Sequence, residues 1–258
     1  MKKILVYIIA LLIVQELAAQ STPLLNRWSY RTAYLMRKNK YESGLVQPFR
    51  YGISNRVEVS TNVLQNFVVP NAGVKVFIAD VKGFHMASEH GLQYNSLLFK
   101  LLSRKGTGGV LSPQFTYPNM FTLSSAFLVT KQVFDTAYVT ARAGFFLGMR
   151  DGFLNPLATV DMPIIYPRTS HIFNTCTFRL GADIRGKIKR TWSYMFDFQF
   201  FVLPVKEHNF FMENTGVIMC NWGKNFRFKG GYKLYYGDYP FGKQWHLLPT
   251  LDIVFGSK

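Results

Sequence analysis

The chain has 258 residues, with 30 Lys and Arg against 14 Asp and Glu, which gives a formal net charge of +16 at pH 7. Aromatic residues make up 16% of the sequence and charged residues only 17%, below the roughly 25% of charged residues in a typical soluble domain. This composition argues against an ordinary soluble domain, and the positive balance favours anionic lipid or an acidic solute as a partner.

The first twenty residues predict a cleaved secretory signal peptide, residues 1–20. Lys2 and Lys3 give a positive start, Ile4–Val14 is an uncharged apolar run, and Leu17-Ala18-Ala19 offers a small-residue cleavage site. The run is too short for a membrane helix, which needs about 20 residues. We therefore expect one exported mature domain, residues 21–258. Export and the lack of a nucleic-acid-binding motif argue against a nucleic-acid partner.

Twelve segments of the mature chain then alternate between apolar and mixed residues with a period of two, which predicts β-strands with one apolar face. Most have the ~9–11 residues that a tilted membrane strand requires. The segments are Arg27–Met36, Leu45–Ile53, Arg56–Leu64, Gly73–Asp80, Phe84–Asn95, Phe121–Thr130, Thr136–Met149, His171–Arg185, Thr191–Val202, Phe210–Asn221, Asn225–Tyr236 and Trp245–Phe255.

The ninth segment shows the pattern most clearly. Trp192, Phe196 and Phe198 fall on one face, whereas Asp197 and Gln199 fall on the other. An exported chain with many such segments favours a transmembrane, up-and-down antiparallel β-barrel of about twelve strands, with ten as the alternative count. A secreted β-sandwich is the competing fold, but it would not need aromatic residues around its whole circumference.

The lengths of the predicted links support the barrel, because bacterial barrels have short periplasmic turns and longer outer loops. The short links are Ser54-Asn55, Val81–Gly83, Val133–Asp135, Gly186–Arg190 and Trp222–Lys224. The longer links are Arg37–Gly44, Asn66–Ala72, Ser96–Met120, Arg150–Ser170, Pro204–Asn209 and Gly237–Gln244. Long and short links alternate, which predicts that both chain ends lie on the periplasmic side of the outer membrane.

One hairpin carries a resemblance to a known class. The run Phe49-Arg50-Tyr51-Gly52-Ile53-Ser54-Asn55-Arg56-Val57-Glu58-Val59 resembles the Tyr-Gly-aliphatic-Ser/Thr-Asp/Asn-Arg-aliphatic-Glu turn of small bacterial outer-membrane barrels, some of them described as transporters. The signal ending in Ala-Gln is similar to those of Bacteroidota-type exported proteins. The last strand resembles the aromatic-ended assembly signal of such barrels, except that Gly256-Ser257-Lys258 follows Phe255. The resemblance implies class and location, and it implies no substrate or catalytic residue.

Basic side chains on the mixed faces are the candidate site. Arg142, Arg179, Arg227, Lys229 and Lys233 all have inward parity, with Arg50 and Lys75 elsewhere on that face. A cationic lumen concentrates and selects anions, so we expect the first five residues to line an anion-binding lumen. The alternative is that Asp183, Asp197, Glu213 and Asp252 pair with these cations and the interior is filled.

The predicted outer loop Ser96–Met120 combines an apolar cluster, Leu97–Leu102, with a basic, glycine-containing stretch. It either constricts the barrel mouth, lies on the membrane surface, or packs on neighbouring loops. Gly106, Gly108 and Gly109 lack the ending of a phosphate-binding loop.

The histidines predict neither catalysis nor a metal site. His85 and His90 lack metal-ligand spacing, and His171 beside Ser170 is the only loose catalytic candidate. We expect no enzymatic activity, no metal and no cofactor.

Three functions remain open. The first is a narrow channel or transporter for a small anionic solute. The second is a non-conducting structural or assembly partner of another membrane protein, and the third, least favoured, is a lipid-modifying enzyme. Outer-membrane lipids are expected partners in all three.

Overall fold

The computed structural model describes residues 29–104, 110–160, 162–189, 191–223, 225–240 and 242–257. These residues form a closed barrel of twelve antiparallel strands in which the first and last strands pair. The predicted fold is thus confirmed. The predicted signal peptide, the start of the first predicted segment at Arg27, and Gly106, Gly108 and Gly109 lie outside the described residues.

The strands follow one another around the barrel in chain order. They are β1 (Tyr41–Gly44), β2 (Phe49–Gly52), β3 (Val57–Thr61), β4 (Asn71–Val81), β5 (Phe84–Tyr94), β6 (Met120–Phe134), β7 (Ala137–Arg150), β8 (Cys176–Lys187), β9 (Trp192–Val202), β10 (Phe210–Trp222), β11 (Phe226–Tyr239) and β12 (Gly242–Gly256). Two short α-helices, α1 (Ser96–Leu102) and α2 (Tyr166–Asn174), lie in the two longest loops. Among the described residues, no helix is long and apolar enough to cross a membrane.

The two faces of the wall differ as the alternation predicts. On β9, Phe196 and Phe198 are 44% and 45% exposed on the outside, whereas Asp197 is 1% exposed and faces the lumen. Asp197 lies opposite Asp183 of β8 and Thr215 of β10 in the ladder, so polar residues of neighbouring strands share the interior. An apolar, aromatic exterior around a polar interior suits a barrel that is embedded in hydrocarbon.

The first predicted strand was wrong. Residues 29–36 are not part of the sheet, and the first strand is instead Tyr41–Gly44, which the sequence pattern placed in a link. We call residues 29–36 the luminal segment, because Thr32, Ala33 and Met36 are at most 2% exposed and their partners lie on the inward faces of distant strands. Residues 32–36 are all buried, so the segment is enclosed on every side, and the alternation of its residue types does not mark a wall strand.

Gly52 explains how the chain leaves the lumen to begin β1. The Asn39 N–H donates to the Gly52 carbonyl at 2.8 Å, and the Gly52 N–H donates to the Lys40 carbonyl at 2.9 Å. A Cβ atom at position 52 would lie 2.1 Å from the Arg37 carbonyl oxygen. Only glycine allows this close approach of two backbones.

We call the end where β1 begins and β12 ends the inner end, and the opposite end the outer end. The outer links 62–70, 95–119, 151–175 and 203–209 are longer than the inner links 82–83, 135–136 and 223–225. The first and last outer links, 45–48 and 240–241, are short. The predicted long link Gly237–Gln244 was therefore wrong, because Tyr239, with 0% exposure, extends β11 by packing on Tyr166 and Phe211.

The eighth predicted strand began too early. Tyr166–Asn174 forms α2, with Pro167 in its first turn, and β8 begins only at Cys176. Proline suits the first helical turn because its missing N–H would have no helical partner there. His171 therefore lies on a helix of an outer loop.

The two longest loops pack on each other at the outer end. Phe99 of α1 and Ile172 of α2 belong to one apolar cluster with Leu154 and Met120. Of the three arrangements considered for the loop Ser96–Met120, α1 thus packs on its neighbours.

Candidate binding site in the lumen

Arg142 is placed inside the barrel but is neutralised there. Its guanidinium pairs with Asp197 and lies 3.5 Å from an Asp183 oxygen. Arg185 pairs with Asp183 at 2.9 Å and Arg31 pairs with Asp197 at 2.6 Å. Three arginines and two aspartates therefore form one buried network at mid-height. Buried charges require such pairing, because leaving one uncompensated costs several kcal/mol.

A second network ties the short strands together. Arg50 pairs with Glu58 at 2.6 Å and lies 3.6 Å from a Glu42 oxygen, while Lys75 lies 3.7 Å from Glu58. Glu58 also accepts the Met36 N–H at 2.8 Å. This network therefore fixes both the wall and the base of the luminal segment.

The luminal segment crosses from the inner end to mid-height. Its Ala33 N–H donates to Thr130 Oγ1 at 2.8 Å, and the Tyr30 carbonyl accepts from Arg185 at 2.8 Å. Ser29 Oγ accepts from Arg50 at 3.0 Å. The segment turns at Arg31, whose φ of 68° is unfavourable for a residue with a Cβ atom. The ion pair with Asp197 offsets that cost.

Helix α2 fills the outer part of the lumen. Arg168 makes a two-pronged pair with Glu213 of β10, including a 2.7 Å contact from Nη2 to Oε2. Tyr166 packs with Phe201 and Phe211. The outer mouth is therefore narrowed by a helix that is held by both charge and aromatic packing.

His171 is fully buried at this helix. Its Nε2 lies 2.6 Å from Thr122 Oγ1, and its ring stacks on Phe146. Burial lowers the pKa of His171 to about 4. Ser170 Oγ contacts the Pro167 carbonyl and Thr177 at 3.4 Å instead of His171, so this pair does not have the geometry of a nucleophile and its base.

A cavity of about 370 Å³ lies between the luminal segment and the wall of β10, β11 and β12. Its lining includes five cationic side chains: Arg31, Arg185, Arg227, Lys229 and Lys233. It also includes two carboxylates, Glu42 and Asp252. Much of the remaining lining is apolar, and Val217, Met219, Leu248 and Pro249 contribute to it. The volume falls within the range of about 300–1,000 Å³ that is common for small-molecule sites.

Three of the five predicted site residues therefore meet in one cavity, and all three lie on β11. Lys229 contacts Gln47 and lies 3.9 Å from an Asp252 oxygen, and Arg227 donates to Asn221 at 2.8 Å. Within the described part of the chain, Lys233 has no carboxylate within 4 Å. Lys233 is thus the cation best placed to meet an added anion.

The other two predicted residues lie elsewhere in the lumen. Arg142 belongs to the aspartate network, and Arg179 stacks over the Phe146 ring, with 5.1 Å from its guanidinium carbon to the ring centre. Sequence reasoning missed Arg31 and Arg185, which complete the cavity. Arg185 shares the inward parity of Asp183, so parity alone identifies it, whereas Arg31 follows only from the luminal segment.

No protein-family model matches the chain, and no curated protein matches its sequence. The KdgM porin in complex with disordered oligogalacturonate is similar at 9% identity and a TM-score of 0.42, over 84% of this chain and 94% of that chain. A bacterial polysaccharide outer membrane secretin is similar at 9% identity and a TM-score of 0.46, over 84% of this chain and 70% of that chain. The outer membrane channel DcaP of Acinetobacter baumannii is similar at 9% identity and a TM-score of 0.37, over 92% of this chain and 67% of that chain. Since every identity is 9% and every TM-score is below 0.5, we draw nothing about function from these barrels.

Proposed function

We propose that this chain is an outer-membrane barrel that binds a small anionic solute in its basic cavity and passes it through a narrow lumen. The observation that carries the proposal is the placement of three cations of β11, Arg227, Lys229 and Lys233, around one cavity of about 370 Å³. The other two cations of the lining, Arg31 and Arg185, are paired with Asp197 and Asp183. An apolar wall around such a site focuses its field and raises the local concentration of anions. Rings of Arg and Lys select anions in pores for the same reason.

The cations divide into two groups with different roles. Arg31 and Arg185 are held by Asp197 and Asp183, so they shape the cavity wall. Lys229, Lys233 and Arg227 lie on β11 and face the space that a solute would occupy. This division supports recognition of the anion by β11.

The exterior supports a site in the outer membrane. Phe178, Phe196 and Phe228 on β8, β9 and β11 are each more than 40% exposed on the outside. Bacterial barrels present such a band to the hydrocarbon core, which makes outer-membrane lipids the immediate partner. The proposal includes export of the chain by the predicted signal peptide, residues 1–20.

Planar-bilayer recording under a KCl gradient tests the proposal. We expect discrete openings of small conductance and a reversal potential on the anion-selective side. Cation preference would contradict the proposal.

A second function is favoured by the filling of the lumen. The luminal segment is buried in the inner half of the lumen, and α2 is held to the wall of the outer half by the Arg168–Glu213 pair. A barrel that stays closed serves as a structural or assembly partner of another membrane protein. Electrical silence, together with stable co-purification of a membrane protein, would favour this second function over the first.

A further inference from the structure

One part of the barrel wall is too short to cross a membrane. Strands β1 and β2 have four residues each and β3 has five, whereas β12 has fifteen. Four residues reach roughly 13 Å at about 3.3 Å per residue, and a membrane strand needs about 9–11 residues. The wall next to β12 therefore stops well below the outer end.

Among the described residues, the edge of β12 is left largely unpaired as a result. β1 pairs only with Val254, Phe255 and Gly256, and Leu45 adds one hydrogen bond to Ile253. No backbone partner from the described ranges reaches residues 242–251 on this side. A closed barrel normally leaves no such edge in lipid, because unpaired backbone groups are costly there.

Pro249 fits this open edge. It keeps its place in the ladder opposite Tyr232 of β11, so pairing on that side is intact. Proline has no N–H to donate, and in sheets it is confined to edge strands or bulges. The missing N–H thus costs no hydrogen bond within the described structure, because it faces the side of β12 where no described strand lies beside Pro249.

The basic cavity reaches this same edge. Leu248, Pro249 and Leu251 of β12 line it, together with Val46 of the short outer link 45–48. The rim of the opening is apolar and exposed, since Leu251 is 80% exposed and Val46 62%. The loop 62–70 borders it, because Asn62 donates to the Val46 carbonyl at 3.1 Å. The cavity is therefore apolar at the membrane side and cationic on β11.

We propose that the cavity takes a single-chain amphiphile with an anionic head group, which enters from the membrane through the opening beside β12. The head group is bound by Lys229 and Lys233, and the tail lies along Leu248, Pro249 and Val46. This inference rests on the proposed anion site and restricts the class of anion that the site binds. A volume of about 370 Å³, near the lower limit for ligand sites, suits one tail better than two.

Binding to the full mature barrel in lipid nanodiscs, with empty nanodiscs subtracted, tests the inference. The probes are dodecanoate, dodecyl phosphate and the tailless anions butyrate and inorganic phosphate. We expect a tailed anion to bind at least tenfold more tightly than its tailless counterpart. The stronger of the two tailed probes identifies the head group as carboxylate or phosphate, and either outcome supports the inference.

Two neighbouring residues provide a matched pair of variants. Leu248→Trp fills the apolar part of the cavity, whereas Leu247→Trp adds the same bulk on the outward face, where Leu247 is 66% exposed. We expect about a tenfold loss for dodecanoate in Leu248→Trp and no loss in Leu247→Trp. Equal effects in the two variants would overturn the tail site, and heat-modifiable gel mobility checks that both variants fold.

A variant of the head-group contact, Lys233→Gln, distinguishes failure of the amphiphile site from failure of the anion site. Lys233→Gln should weaken tailed and tailless anions alike by about tenfold, since a hydrogen bond to a charged group is worth about that factor. If tailless anions depend on Lys233 while dodecanoate binds no better than butyrate, the inference is wrong and the anion site stands. If no anion responds to Lys233→Gln, both are wrong.

Photo-cross-linking with dodecanoate that carries a diazirine at its tail end maps the route by which the amphiphile enters the cavity. We expect cross-links to residues 45–48, 62–70 and 248–251, which border the opening. Cross-links confined to the outer-mouth loops 151–175 and 203–209 would overturn access from the membrane.

Discussion

Arg31 Nη1 lies 2.6 Å from Asp197 Oδ2, an ion pair that joins positions 166 residues apart. It fixes the tip of the luminal segment to the middle of β9. Asp197 also pairs with Arg142 and accepts from Gln199 at 2.7 Å. The carboxylate therefore stays compensated when Arg31 is changed, which makes Arg31 the natural position at which to release the segment.

Arg31→Gln should open the lumen more often. The substitution removes the Arg31 pair and leaves the pairs of Arg142 and Arg185 with Asp197 and Asp183 in place, so we expect a loss of about 1–3 kcal/mol in segment docking with little change in barrel stability. Single-channel recording should show a higher open probability than in the unmodified protein. Lys38→Gln, an exposed position just beyond the segment, is the control, and an equal change in that variant would show that the Arg31 ion pair does not hold the segment in the lumen.

Glu58→Ala should strongly destabilise the barrel. Arg50 and Lys75 would lose their shared carboxylate, and the Met36 N–H would lose its acceptor. Breaking a buried pair from one side costs about 3–5 kcal/mol. Urea unfolding in detergent, followed by gel mobility, measures this cost.

The control for that experiment is Glu207→Ala, because Glu207 is exposed in the outer link 203–209. A surface change of this kind should stay within about 0.5 kcal/mol. Similar unfolding midpoints for the two variants would show that the Arg50 network contributes little to stability.

The docking of α2 should weaken in acid. The folded pKa of His171 is about 4, against 6.5 for the exposed side chain, because of burial. The undocked state therefore binds more protons, so the docking free energy is complete above pH 6.5 and falls as the pH drops toward 4. The total loss is roughly 3 kcal/mol over this window.

Hydrogen exchange of residues 151–175 in nanodiscs, at pH 7.5 and pH 4.5, follows this docking. Because amide exchange is intrinsically slower at pH 4.5, exchange is compared as a protection factor, the intrinsic rate at each pH divided by the observed rate. We expect a lower protection factor at pH 4.5 in the unmodified protein and little change with pH in His171→Gln, which cannot titrate. If the variant keeps the full pH dependence, another group is responsible.

The sequence was sufficient to predict the barrel and its faces because the period of two is a local signal. Phe196 outside and Asp197 inside follow directly from strand geometry, and Arg227, Lys229 and Lys233 follow by the same rule. The structure places the last three on the lining of the cavity, and their binding of an anion stays a prediction.

The rest depended on contacts between distant positions. The luminal segment alternates like a strand, but its partners Glu58, Thr130 and Asp197 are set by tertiary structure that no local pattern contains. The four residues of β1 carry no apolar alternation, since Glu42 faces inward toward Arg50. The cavity and the open edge of β12 both follow from these two features, so the sequence did not predict them.

The most direct test of the central claim, that the basic lumen selects anions, is the reversal potential under a KCl gradient. It is measured for the unmodified protein, Lys233→Gln and Lys243→Gln. Lys233 lines the cavity, whereas Lys243 lies exposed at the outer end of the adjacent strand. A basic lumen predicts anion selectivity that falls in Lys233→Gln and persists in Lys243→Gln. Cation selectivity in the unmodified protein, or the same selectivity in all three, would contradict it.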